Sequence, residues 1–144
     1  MKNLMLSLSC FALIAFVGLI PGCGRGGSNS GGGSSSNISG LLGNWSGSWK
    51  SSTNNSGSLS VDWLSVVPGT DNTLAGFITI GGSLCGGAAG GTPGTVSGNN
   101  ITFSVTGATG SVTFTGTYTS TLISGTYSGT GVCSGTGTFS LTKQ

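Results

Sequence analysis

The chain has 144 residues, 30 of them glycine, with 4% charged residues and a formal net charge of +2. It contains no histidine and no glutamate, and its carboxylates are Asp62 and Asp71. So few titratable groups leave no pair tunable near neutral pH for acid–base catalysis and no ligand set for a metal. The small charge leaves no basic patch for the phosphates of a nucleic acid.

Met1-Lys2-Asn3 is a short positive start, and Leu4 to Ile20 is almost wholly apolar, the layout of a secretory signal. As a membrane span the run sits at the bottom of the required length, Ser7 and Ser9 dilute it, and Pro21-Gly22 ends it. Ile20-Pro21-Gly22 fits an ordinary A-x-A-like cleavage site poorly, but Cys23 follows at once. Ile20-Pro21-Gly22-Cys23 resembles the lipobox of bacterial lipoproteins. That resemblance implies that residues 1–22 are cleaved as a signal peptide and that the Cys23 thiol carries a diacylglycerol. It also implies that the freed amine is acylated, so that the chain meets the membrane through N-terminal acyl chains. The physics suits anchoring, since each buried CH₂ adds about 0.8 kcal/mol and more than one chain is needed for a stable hold. Cys10 falls in the discarded segment.

Residues 23–40 are then the lipidated cysteine and a Gly/Ser-rich linker, GRGGSNSGGGSSSNISG, with one charge and no apolar period. A coil of that length spans roughly 20 Å root-mean-square. Gly24 stands where an aspartate would favour inner-membrane retention in enterobacterial sorting. By that resemblance the address is the outer membrane, with the domain periplasmic or surface-exposed.

From Leu41 to the end the apolar pattern has period 2, which reads as half-buried antiparallel strands. Eight strands are expected: 41–50, 56–67, 73–81, 94–98, 100–106, 111–119, 122–128 and 132–142. SGNN (97–100), TGATG (106–110) and SGTG (128–131) carry hairpin chemistry between them. Tight joints make sequence neighbours pair, giving an all-β, eight-stranded antiparallel up-and-down meander. The meander closes into a barrel or packs as a two-sheet sandwich. Closure is favoured because the chain has almost no charges to protect an open edge. The domain is 41–144.

The inner face carries Trp45, Trp49, Trp63, Phe103, Phe114, Tyr118, Tyr127 and Phe139, interleaved with Gly47, Gly116, Gly125, Gly135 and Gly137. Gly-Thr-aromatic recurs at 116–118, 125–127 and 137–139, so that inward glycines make room for neighbouring aromatics. LLGNWSGSW (41–49) opens the domain with Gly43-x-Trp45 on the first strand. This is similar to the start of lipocalin and avidin-type barrels, where a G-x-W tryptophan closes one end. FTGTYTS and ISGTYSG also resemble the G-x-Y strands of avidin-like proteins. An arginine that packs on that tryptophan in lipocalins has no clear counterpart here, and no ligand set carries over.

Cys85 and Cys133 remain. With no C-x-x-C motif and an exported chain, they are expected to form a disulfide between the Gly-rich 81–94 loop and the last strand. A Ser or Thr nucleophile would need a base, and neither Lys50 nor Asp62 has a partner in the pattern. The chain is therefore read as non-enzymatic, without cofactor or metal. Two readings stay open: a surface, structural or interaction module meeting carbohydrate or an envelope protein, and a calycin-type barrel binding a small apolar or flat ligand. For the second, the candidate lining is Trp45, Trp49, Trp63, Tyr118 and Tyr127.

Overall fold

The computed structural model describes residues 38–144; the signal segment, Cys23 and most of the linker lie outside the described residues. A 3-10 turn at Ile38–Leu41 precedes eight strands: β1 Gly43–Ser51, β2 Ser56–Val66, β3 Thr73–Ile80, β4 Ala89–Ser97, β5 Asn100–Gly107, β6 Gly110–Tyr118, β7 Leu122–Gly131 and β8 Gly135–Lys143. Each pairs antiparallel with the next, and β8 returns to β1 from Trp45↔Lys143 to Ser51↔Gly137, closing an up-and-down barrel. Closure satisfies both ladders and leaves no edge strand for another chain to join. Of the two expected arrangements, the barrel holds and the sandwich does not.

Period-2 alternation decides which side chains go inside. Trp45 and Trp49 on β1, Leu59, Val61 and Trp63 on β2, and Phe103 and Phe114 on β5 and β6 are all buried. Their outward neighbours Ser46, Ser48, Thr102 and Thr115 are exposed. Two glycines of the Gly-Thr-aromatic units stand opposite aromatics across the ladder, Gly125 facing Phe139 and Gly137 facing Tyr127, whereas Gly116 pairs with Gly125 and Ile101. A Cβ on Gly137 would come within 2.7 Å of the Tyr127 ring. Gly47 in β1 and Gly135 at the start of β8, both expected on the inner face, are exposed.

Three local features depart from simple alternation. In β2 the pairing jumps from Trp63↔Gly76 to Ser65↔Ala75, so Leu64 is an extra, unpaired residue and stands 66% exposed. This bulge reverses the parity and lets Val66 pack against the core beside Leu74. Secondly, β4 begins at Ala89, five residues before the expected start at 94, because Ala89 to Pro93 pair with β3. Thirdly, β4 meets β5 over only four residue pairs, Gly94↔Phe103 to Ser97↔Asn100. Pro93 has no N–H to give to the ladder. The buried Thr92 supplies a donor there, its Oγ1 bonding the Ser104 carbonyl at 2.7 Å. The β4–β5 turn is tight, with Gly98 at φ +58°, the position where a two-residue hairpin favours glycine.

One end of the barrel is shut by the 3-10 turn. Ile38 and Leu41 are buried there, and Trp45 Nε1 donates to the Leu41 carbonyl at 2.7 Å. Lys143 lies over the Trp45 ring at 5.6 Å from its centroid, and its ammonium donates to the Gly40 carbonyl. A lysine from the last strand thus covers the tryptophan of the first, where the sequence showed no clear cationic counterpart.

Candidate functional site

Of the five residues expected to line a ligand cavity, Trp49 and Tyr127 line one hollow together. Trp45 belongs to the closed end just described. Trp63 lies across β3 and β4, so close that a Cβ on Gly76 or Gly94 would come within 2.6 Å of its ring. Tyr118 is half-buried on the wall, its hydroxyl donating to the Gly98 carbonyl at 3.1 Å. Trp49 and Tyr127 alone come together, edge to face with centroids 6.1 Å apart, near the other barrel end.

The space between is occupied by rings. Trp63 meets Phe103 at 5.6 Å, Phe103 stacks on Phe114 at 5.0 Å, and Phe139 meets Phe103 and Phe114 at 5.6 and 5.3 Å. Phe114 continues to Tyr127 at 5.8 Å. Centroid distances in this range are those of packed aromatic pairs. The rings form one connected, buried cluster inside the barrel, and an eight-stranded barrel is just wide enough for its side chains to fill. The Trp63 indole N–H is buried within it with no hydrogen-bond partner.

The Trp49 end is covered by the segment between β3 and β4. Trp49 Nε1 donates to the Gly81 carbonyl at 2.8 Å, and Ile80 N–H to the Ala88 carbonyl at 2.7 Å, pinning the base of this loop. Its 3-10 turn, Leu84–Gly86, tucks Leu84 inward. Cys85 is bonded to Cys133. Cys133 lies in the turn before β8, not in the last strand as expected, so the bridge staples the covering loop to the β7–β8 hairpin. Cys85, Gly86 and Gly87 are consecutive left-handed residues with φ of +55°, +65° and +80°. A non-glycine residue holds that conformation at a cost that its surroundings must offset.

Under this cover a hollow of about 230 Å³ is floored by Trp49 and Tyr127, walled by Leu84 and Val132, and rimmed by hydroxyls including Ser51 and Thr136. Across Gly137 it adjoins a wider groove of about 520 Å³ on the outer wall, which shares Ser51, Ser52, Tyr127 and Thr136 with it. Tyr127 is 3% exposed, and burial raises its phenol pKa above the ordinary tyrosine value. The phenol is thus a neutral donor and acceptor at physiological pH.

The groove is built by register. Thr115 on β6 pairs with Thr126 on β7, which pairs with Thr138 on β8, which pairs with Lys50 on β1. A second row runs Thr113, Ser128 and Thr136. The first row continues backward through Thr102 to Thr95, so exposed threonines occupy matching positions on five adjacent strands, β4 to β8. Linear reading showed the threonines on each strand but not these cross-strand rows. Lys50 lines the groove with no carboxylate beside it, and its ammonium has no ion-pair or hydrogen-bond partner among the described residues.

Among the described residues no three His, Cys, Asp or Glu side chains gather, and no helix is long and apolar enough to cross a membrane. The barrel buries most of its large apolar side chains, with Leu64, Phe77, Leu122 and Val132 exposed, and carries rows of hydroxyls on its outer wall, unlike the apolar outer band of a lipid-embedded barrel. Comparison of the chain with protein-family models, curated proteins and solved structures finds no match.

Proposed function

We propose that this chain is a bacterial envelope lipoprotein, held at the outer membrane through Cys23, whose barrel is a non-enzymatic contact module on a flexible tether. The observation that carries the contact-module reading is the aromatic cluster: rings packed inside the barrel from Trp63 to Tyr127 favour the outer wall over the interior as the place for a partner. The wall groove, at about 520 Å³, falls in the range of binding sites, roughly 300–1,000 Å³. The mouth hollow, at about 230 Å³, lies below that range, which favours the wall over a calycin-type small-ligand site. The absence of histidine and glutamate from the whole chain supports a non-catalytic role.

Anchoring rests on Ile20-Pro21-Gly22-Cys23 and the linker after it. Cys23→Ser is expected to abolish palmitate incorporation and to block processing at this site. Metabolic labelling followed by membrane fractionation measures both. Undiminished labelling of the variant would remove the lipoprotein reading and leave a plain secreted barrel.

A further inference from the structure

We infer that the wall groove across β6, β7, β8 and β1 binds a linear acidic oligosaccharide laid across the strands, with a carboxylate at Lys50. This inference rests on the contact-module reading above and names the ligand class for it.

The spacing of the row matches that of a sugar chain. Thr115, Thr126, Thr138 and Lys50 are register partners on four consecutive strands. Adjacent strands lie roughly 4.8 Å apart, so the row spans about 14 Å. A chain of pyranose rings presents a ring of polar groups at a similar repeat, so three sugars fit one row with one hydroxyl beneath each. The parallel row, Thr113, Ser128 and Thr136, lies two residues along each strand and can meet the other edge of the same rings. A protein partner would need apolar anchors for a central hot spot, and neither row holds any.

The chemistry of the wall matches as well. The threonine hydroxyls of the first row have no side-chain hydrogen bonds within the protein, so each can both donate and accept. Gly137 has no side chain to cover the neighbouring Tyr127, so the phenol meets the groove beside them. A hydroxyl wall with a neutral phenol suits a polyol. Lys50 is the charged residue lining the groove, and with no protein partner it selects an anion on that polyol.

The test is a ¹⁵N chemical-shift titration of residues 24–144, secreted behind a leader that lacks a lipidation cysteine, with the disulfide intact. The probes are trigalacturonate, its fully methyl-esterified form and maltotriose, each at millimolar concentration. Trigalacturonate is expected to shift the amides of Thr115, Thr126, Thr138 and Lys50, with the neutral probes weaker. Lys50→Gln is expected to weaken trigalacturonate about two- to fivefold, as for an exposed ion pair. Thr126→Val/Thr138→Val keeps strand propensity and shape and is expected to weaken it about tenfold, with an unchanged unfolding midpoint confirming an intact fold. No shifts with any probe, or shifts confined to other strands, would overturn the glycan site while leaving membrane anchoring to its own labelling test. Equal binding of the neutral probes, with Lys50→Gln silent, would overturn the acidic specificity.

Discussion

Alanine in place of Trp63 is expected to destabilise the domain by roughly 3–5 kcal/mol, the range for truncating a fully buried aromatic. The indole is 1% exposed and spans from β2 across Gly76 and Gly94 to the Phe103 ring. Its removal opens a cavity between three strands that the glycines cannot close, because they have no side chains to move into it. The reciprocal change acts through overpacking: valine at Gly94 would drive a branched side chain into the indole, expected to cost about 1–3 kcal/mol. Trp63→Phe is expected to cost clearly less than the alanine change, since the indole N–H it removes has no partner to lose. Urea unfolding followed by far-ultraviolet circular dichroism measures all three as a fall in midpoint at constant slope. Near-wild-type stability of Trp63→Ala would mean that the ring does not bridge the strands.

The second large effect belongs to the disulfide. Cys85 and Cys133 are 48 residues apart, and closing a loop of that length stabilises by about 4 kcal/mol on the chain-entropy account. A glycine-rich chain has unusually large unfolded-state freedom to restrict. In the native state the bridge also anchors the loop that buries Leu84 beside the hollow lined by Trp49, against the cost of the left-handed Cys85. Cys85→Ser/Cys133→Ser is therefore expected to lose about 4 kcal/mol. Its hydrogen exchange should rise first between residues 82 and 88. Uniformly raised exchange, with no priority for that loop, would place the effect in the unfolded chain alone.

The legible parts of this fold were those in which local chemistry and period 2 agreed. SVTFTGTY alternates without interruption and ends in turn residues, so β6 and its pairing with β7 could be read directly. Residues 89–93 could not, since Gly90 and Gly91 carry no side chain to display a period and Pro93 argues against a strand. The Leu64 bulge was hidden because one extra residue in VDWLSVV leaves the run apolar either way. Lys143 on Trp45 depends on β8 meeting β1, a contact between opposite ends of the domain that no local pattern contains. The wall groove is hidden for the same reason. Its threonines are spread over separate strands, and only the register aligns them with Lys50. Inward parity correctly identified the buried tryptophans, but parity gives direction and not volume, so it could not tell a lined cavity from a filled one.

That distinction is the centre of the account, and crystals of the disulfide-bonded protein equilibrated under pressurised xenon test it most directly. Xenon enters dry apolar cavities and reports them by strong scattering. No xenon is expected among Trp63, Phe103, Phe114 and Phe139, whose buried rings already pack against one another. A well-occupied xenon site between those rings would contradict it, because the interior would then be a hollow able to hold a small apolar ligand.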